Sequence, residues 1–358
     1  MNRVLQYFKN LWGPVKEQLA LTQTSTAAKP DQILKNLVAQ GSVPGLAITV
    51  LKKGKVLFEK GYGYADLGAK TPVHPDKTIF RIASASKPIA ATALAKMVAS
   101  GLIDLDASLY DYVPYFPKKE HDFTIRQLAS HTAGIRGYKG KEYALNKNIT
   151  IKESLDVFKN DPLLFPPGTS FHYNSFDWVL VSLAMQEASG CSFEDYVAKE
   201  VLIPLGMTHT FPEDPANQML NKAICYTKRG TDFEPAIPVD NRFKLAGGGY
   251  LSTSADLAKL GQAYLDRTIA PREVIQEFLT SQLVGSEPTY YGLGWQVSWD
   301  NGGRPYYGHV GNGIGGYSNF YVYPEQEVVI SLLINATNPG IQSVIEDNLY
   351  PLFFTETS

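Results

Sequence analysis

Strand-like segments lie at both ends of this chain, and mostly helical segments lie between them. Residues 45–51 and 55–62 are rich in β-branched and aromatic residues around a Lys-Lys-Gly turn, which predicts a hairpin. Residues 291–299 and 304–310 flank an Asn-Gly turn and predict a second hairpin, followed by strands at 317–323 and 328–335. This distribution predicts an α/β protein of the α+β type: an antiparallel sheet built from both termini and flanked by helices, with a mostly helical inserted domain.

The same pattern divides the chain of 358 residues into three parts. We expect residues 1–30 to form an N-terminal helix and linker, and residues 84–235 to form the helical domain. The sheet domain combines residues 31–83 with residues 236–358, and it includes a closing helix near the end of the chain. A chain of this length exceeds one typical core, so either one large composite domain or two lobes are expected.

The composition excludes several classes of function. Hydrophobic residues make up 44% and charged residues 19%, which is typical of a globular protein. The net charge of −2 gives no electrostatic support for nucleic-acid binding. Cys191, Cys225 and six scattered histidines show no metal-ligand spacing. We therefore expect no metal and no cofactor.

The N-terminal segment carries apolar residues at helical spacing, namely Val4, Phe8, Leu11, Val15 and Leu19. One interpretation is a helix packed on the main body or on a second copy of the chain. Another is a peripheral membrane anchor, because Trp12 and several basic residues accompany the apolar face. The segment lacks the apolar core of a signal peptide, and the chain has no run of about 18 apolar residues. The sequence as given thus favours the cytoplasm, or export if a signal segment was removed.

Ser84 and Lys87 form the only Ser-x-x-Lys in the chain, at the point where a strand-like run changes to a helical one. A serine at a helix start has free backbone N–H groups and the positive end of the helix dipole beside it. A lysine three residues later lies on the same face, where its amine can take the hydroxyl proton. The alternative is an ordinary helix start, with Ser84 as N-cap and Lys87 in solvent.

Two further segments follow in order: Tyr173-Asn174-Ser175 before a helix, and Gly308-His309-Val310-Gly311 before a glycine-rich stretch. Together with Ser84-x-x-Lys87, this order resembles the serine β-lactamase-like superfamily. That superfamily includes class C β-lactamases, penicillin-binding D-alanyl-D-alanine carboxypeptidases and family VIII carboxylesterases. The resemblance covers roughly residues 31–350, and residues 239–249 are similar to the mitochondrial β-lactamase-like serine proteases.

The resemblance implies a role for each matched residue. Ser84 would attack an acyl carbonyl and form an acyl-enzyme. Lys87 and Tyr173 would transfer protons, and either can be the base in acylation. The backbone N–H groups of Ser84 and Asn312 would form the oxyanion hole. Asn174, Ser175, His309 and Gly311 would bind substrate.

Two positions depart from the family pattern. Ser175 stands where the family has asparagine, and a hydroxyl offers fewer hydrogen bonds than an amide. His309 stands where the family usually has lysine, so a titratable ring replaces a permanent cation. Recognition of a substrate carboxylate is therefore in doubt, and the alternative role for His309 is a core histidine that spaces two strands.

The most consistent function is a serine hydrolase that acts on a small-molecule ester or peptide, above all a carboxylesterase on small esters. The alternatives are a D-amino-acid-type peptidase or a weak β-lactamase. A non-catalytic scaffold that binds partners or forms filaments is the alternative of another class. The Gly-x-Gly-x-x-Gly at 311–316 precedes a strand-like run and not a helix, which argues against a dinucleotide site. His131 is expected to be a core or loop histidine and not a second base.

Overall fold

The computed structural model describes residues 28–216 and 220–354. Within these ranges the main feature is a seven-stranded antiparallel sheet with the strand order β11-β12-β13-β14-β1-β2-β3. The first and last parts of the chain meet at its centre, where Leu46 of β1 lies opposite Ile334 of β14. The prediction of one antiparallel sheet built from both ends of the chain is confirmed.

The described strands are β1 (Gly45–Lys52), β2 (Lys55–Asp66), β3 (Thr71–Pro72), β4 (Phe80–Arg81), β5 (Phe211–Pro212), β6 (Tyr226–Arg229), β7 (Asp232–Pro235), β8 (Tyr250–Ser252), β9 (Leu283–Val284), β10 (Glu287–Pro288), β11 (Gln296–Trp299), β12 (Pro305–Gly313), β13 (Gly316–Tyr323) and β14 (Val328–Ile334). Strands β4, β8 and β5 form a small separate sheet. Because β4 pairs with β8, the residues just before Ser84 are anchored to the segment that follows residue 249.

The described α-helices are α1 (Ala28–Ala39), α2 (Ser86–Ala99), α3 (Leu109–Tyr112), α4 (Ile125–Ala129), α5 (Phe176–Ser189), α6 (Phe193–Val197), α7 (Leu245–Gly248), α8 (Ser254–Leu265), α9 (Arg272–Phe278) and α10 (Gln342–Val344). Short 3₁₀ turns cover Ala83–Ala85, Glu142–Ala144, Glu153–Val157, Arg242–Lys244 and Tyr350–Phe353, and π-helical turns cover Ala198–Leu202 and Ile345–Leu349.

Apolar side chains cover both faces of the seven-stranded sheet. On one face, α1 and the turns that follow α10 pack against residues such as Leu46, Ile330 and Tyr321. On the other face, α8 packs on β1, β13 and β14, and the helices α2 and α5 continue the same core. Burial on both faces accounts for strands such as β14, in which every residue is buried.

The two predicted hairpins are present, with β1 paired to β2 and β11 paired to β12. Residues 100–175 are less helical than expected, because only α3, α4 and two 3₁₀ turns interrupt their loops. Prolines in this stretch, such as Pro114 and Pro117, remove backbone donors and restrict the preceding residue. The proposed helix at 1–30 falls almost entirely outside the described residues. None of the described helices is long and apolar enough to cross a membrane.

Candidate active site

Ser84 lies in the 3₁₀ turn between β4 and α2, immediately before the long helix. The preceding residue, Ala83, has a φ of 45°, a left-handed conformation that L side chains rarely adopt. Such strain persists only where the surroundings enforce it, and it is concentrated at functional sites. Ser84 is partly exposed, whereas Ala83 and Ala85 are buried. The turn therefore holds a single hydroxyl at the protein surface, at the predicted position.

Lys87 lies in the first turn of α2 and its side chain is fully buried. Its Nζ lies 3.2 Å from Ser84 Oγ, 2.7 Å from the Tyr173 hydroxyl and 2.8 Å from the carbonyl oxygen of Gly247. Burial lowers the pKa of Lys87 to about 7, and the positive charge of Lys244 adds to this effect. A large share of the amine is thus uncharged near neutral pH, and its lone pair is within reach of the Ser84 proton.

The Tyr173 hydroxyl completes a triangle with the other two side chains, donating to Ser84 Oγ at 2.8 Å. Its ring also lies beneath the Lys87 ammonium, with 4.7 Å between Nζ and the ring centroid. Burial raises the pKa of Tyr173 above the ordinary value of a phenol. The resting hydroxyl therefore keeps its proton, and it can pass that proton to an oxygen bound near Ser84.

Gly311 brings β12 against the Ser84 turn. A Cβ at this position would lie 2.3 Å from the Ile82 carbonyl oxygen and 2.9 Å from the Ser84 backbone nitrogen, so no larger residue fits. The backbone N–H of the neighbouring Val310 donates to Gln296 Oε1, away from β13. Because N–H directions alternate along an antiparallel strand, Asn312 N–H points to the same side. The Asn312 N–H is therefore not used in the pairing of β12 with β13, and its role in an oxyanion hole stays a prediction.

A cavity of about 460 Å³ opens beside Ser84. Of the predicted site residues, Ser84, Ser175 and Asn312 line it. The Asn174 amide instead donates to the carbonyl oxygens of Ile135 and His172, so it braces a loop within the core. Among residues 28–216 and 220–354, no group of three or more His, Cys, Asp or Glu side chains is arranged to hold a metal ion.

His309 lies behind Tyr173 and does not line the cavity. Its side chain is fully buried, with Nδ1 2.7 Å from the Val310 carbonyl oxygen and Nε2 3.0 Å from the Tyr291 hydroxyl. Its ring centroid is 5.9 Å from that of Tyr173. Burial and the charge of Lys87 hold the pKa of His309 well below its usual range. The neutral ring donates from Nδ1 and accepts at Nε2, which is the arrangement of a core histidine.

His131 also lies in the core, as expected, and its Nδ1 is 2.8 Å from a carboxylate oxygen of Asp177. Its ring centroid is 4.6 Å from that of Tyr173. Burial lowers the pKa of His131 and raises that of Asp177, so neither group is favoured in its charged form. His131 thus packs against the Tyr173 ring, and Asp177 holds the His131 ring in place.

The sequence predicted no role for two groups near Ser84, the Gly247 carbonyl and the Lys244 ammonium. The carbonyl accepts a hydrogen bond from Lys87, and the Lys244 side chain lines the cavity. Both belong to the segment 239–249, whose resemblance to relatives was the available signal. Both groups lie about 160 residues from Ser84 in the sequence, so no short motif links them to it.

We expect His309→Ala to lower kcat by roughly 10- to 1,000-fold, the cost of disturbing hydrogen-bonded support at a site. KM for a small ester should change little, because the ring contacts Tyr173 and Tyr291 and does not line the cavity. Steady-state kinetics of the variant and of the exposed control His121→Ala will measure the two constants. A rise in KM alone would instead assign His309 to direct substrate contact, and a loss as complete as that of Ser84→Ala would assign it to proton transfer.

Comparison with known proteins identifies the family of this chain. The family model described as Beta-lactamase matches residues 30–349. The human serine beta-lactamase-like protein LACTB, mitochondrial, is 27% identical over 427 residues, which cover 87% of this chain and 77% of that protein. Protein flp of Staphylococcus aureus is 27% identical over 325 residues, covering 88% of this chain and 64% of flp.

Among solved structures, the octameric penicillin-binding protein homologue from Pyrococcus abyssi superposes with a TM-score of 0.79 at 26% identity. The match covers 91% of this chain and 76% of that one. With a family model that spans most of its length, a shared fold and the Ser84 site in the matched region, the chain belongs to the β-lactamase family of serine hydrolases.

Proposed function

We propose that this protein hydrolyses small carboxylic esters through an acyl-enzyme on Ser84. The observation that carries the proposal is the triangle of Ser84, Lys87 and Tyr173, in which a buried amine with a pKa of about 7 contacts both hydroxyl groups. A poised base beside a hydroxyl is the arrangement that activates a serine nucleophile.

Acylation begins when the neutral Lys87 amine takes the Ser84 hydroxyl proton and Oγ bonds to the ester carbonyl carbon. The carbonyl oxygen becomes an oxyanion, which the N–H groups of Ser84 and Asn312 stabilise by about 3–4 kcal/mol for each such donor. Tyr173 then gives its proton to the departing alkoxide and regains one from the Lys87 ammonium. The products of this step are an alcohol and the Ser84 ester, with both proton carriers restored.

Deacylation runs the same steps with water in place of the alcohol. Tyr173 takes a proton from water as it passes its own proton to the neutral Lys87 amine, and the hydroxide attacks the acyl carbon. The second tetrahedral intermediate collapses to the carboxylic acid and Ser84, whose oxygen recovers a proton from the same pair. The raised pKa of Tyr173 and the lowered pKa of Lys87 favour Lys87 as the first proton acceptor.

Two substitutions favour simple esters over β-lactams and D-alanyl peptides. Ser175 lines the cavity at the position where the family pattern has asparagine, and His309 is buried, with a lowered pKa, where that pattern usually has lysine. A substrate polar group that loses water without gaining a partner costs about 1–3 kcal/mol, a factor of roughly 5 to 150. Short-chain esters lack the acylamino group that the missing amide would bind, and their alkoxide leaves more readily than an amine.

The test compares kcat/KM for p-nitrophenyl acetate and butyrate with kcat/KM for nitrocefin and a D-Ala-D-Ala peptide. We expect the esters to be cleaved faster by well over tenfold. If nitrocefin or the peptide is favoured by tenfold or more, the protein is a β-lactamase or a carboxypeptidase instead. If nothing is cleaved and no probe labels Ser84, the non-catalytic scaffold becomes the better proposal.

A further inference from the structure

The cavity beside Ser84 is lined by two basic side chains and by no acidic one. Arg81 and Lys244 contribute the cations. The other lining residues are uncharged: Ala83, Ser84, Tyr138, Tyr143, Ser175, Val239, Asn241, Gly247, Gly248, Asn312, Gly313, Ile314, Thr337 and Asn338. A concave site lined by charge of one sign attracts ligands of the opposite sign.

Arg81 forms an ion pair with Glu213, but the Glu213 carboxylate is shared with a second cation. Arg81 Nε lies 2.8 and 2.9 Å from the two carboxylate oxygens of Glu213, and Lys222 Nζ lies 2.9 Å from one of them. Glu213 is only 1% exposed, and it also accepts a hydrogen bond from Asn241. One buried carboxylate thus balances two cations, which leaves this wall of the cavity with an excess of positive charge.

Lys244 carries the second cation, and the described residues place no carboxylate within ion-pair distance of it. Its Nζ donates to the Tyr143 carbonyl oxygen at 3.2 Å. It also lies 5.2 Å from the centroid of the Tyr138 ring and 5.4 Å from that of Phe243. These neutral contacts hold the ammonium in place without cancelling its charge. Lys244 lines the same cavity as Ser84, and its charge contributes to the lowered pKa of Lys87.

We infer that Lys244, with Arg81 beside it, forms an anion subsite, and that the preferred esters carry a carboxylate. This inference rests on the proposed esterase function and specifies its substrate class. Relatives are expected to place their cation on the strand that here carries His309, whereas Lys244 comes from the 3₁₀ turn Arg242–Lys244. A carboxylate must therefore be positioned differently from that of a β-lactam to reach it.

The strength of the effect follows from the partial exposure of the Lys244 side chain. A charge-assisted hydrogen bond is stronger than a neutral one, but solvent weakens an exposed ion pair. We therefore expect the subsite to favour a carboxylate-bearing ester over its neutral analogue by roughly 5- to 30-fold in kcat/KM. The preference should shrink with added salt, because mobile ions screen a partly exposed charge.

The experiment uses matched pairs of chromogenic esters. Mono-p-nitrophenyl adipate against p-nitrophenyl hexanoate places the carboxylate on the acyl side, on a chain too long for fast attack of that carboxylate on its own ester. 4-Acetoxybenzoate against 4-acetoxybenzamide places it on the leaving group. The ratio of kcat/KM within each pair is measured for the full chain, for Lys244→Met and for Lys152→Met. Lys152 is an exposed lysine that also lies over a tyrosine ring, that of Tyr115, but it does not line the cavity, so it is a matched control.

We expect at least one pair to favour the charged ester, with the preference lost in Lys244→Met, kept in Lys152→Met and reduced by salt. Equal rates within both pairs for the unmodified protein would overturn the anion subsite while leaving the esterase proposal intact. A preference that survives Lys244→Met would also overturn it. Loss of all ester hydrolysis together with loss of Ser84 labelling in the unmodified protein would instead reject the proposed function. The salt dependence of the unmodified protein tests the subsite even where the variant folds poorly.

Discussion

Ser84→Ala is expected to abolish ester hydrolysis and labelling by a fluorophosphonate probe together. The change removes the hydroxyl that we propose bonds to the acyl carbon, while the partly exposed 3₁₀ turn tolerates a methyl group. The loss in kcat should be on the order of 10⁶-fold, as for removal of a serine nucleophile from other hydrolases. Ester assays and peptide mass spectrometry of the labelled protein will measure both effects.

Ser86→Ala is the matched control, because it removes a hydroxyl two residues away in the same motif. Ser86 is buried and its Oγ accepts a hydrogen bond from the Tyr250 N–H, so it lies outside the proposed chemistry. This variant should keep the label at Ser84. A label found on Ser86 or Ser175, with Ser84→Ala still active, would remove the mechanism proposed above.

Lys87→Ala and Tyr173→Phe should each lower kcat by several orders of magnitude, and the double variant should lose little more. Both groups lie on the same proton-transfer path to Ser84 Oγ. The losses in kcat from groups that act as one unit are not additive. Kinetics of the two single variants and the double variant will measure the coupling. Lys96→Ala, at the far end of the same helix, is the control for loss of a lysine from α2.

The pH dependence provides an independent check on Lys87. Because burial lowers its pKa to about 7, the amine is protonated below that pH and cannot act as a base. The activity of the unmodified protein should therefore fall as the pH drops through about 7. Tyr173→Phe should keep this acid limb, and Lys87→Ala should lack it. Fully additive losses would mean that the two residues act in separate steps. An acid limb that persists in Lys87→Ala would mean that a group other than Lys87 produces it.

The local features of this protein could be predicted from its sequence. The Lys-Lys-Gly and Asn-Gly turns lie between β-rich runs, and turn chemistry acts over a few residues, so the two hairpins were predictable. Ser84 and Lys87 are three residues apart at a helix start, and helical spacing alone places them on one face. The secondary structure of residues 100–175 was harder to predict, because short helices between prolines are too short to show a repeating pattern of apolar residues.

Contacts between distant segments were decided by the tertiary structure. Lys87 contacts Tyr173, which is 86 residues away in the sequence, and the Gly247 carbonyl, which is 160 residues away. Over such separations the spacing of residues does not predict which side chains come into contact. Strand alternation places His309 and Gly311 on one face of β12. Tyr291 and Tyr173 pack against His309 and bury it in the core. Two residues further along the same face, Gly311 instead contacts the Ser84 turn.

The charges that line the cavity could not be predicted from the sequence either, as Lys244 shows. The sequence by itself determined a hydrolase-like motif order, a sheet shared by both ends of the chain and the loss of a cation at His309. The tertiary structure decided that a different cation, from a turn far along the chain, lines the cavity beside Ser84. The physical reason is that charge and burial act through space, so a site's electrostatics are set by which segments pack together and not by their order in the chain.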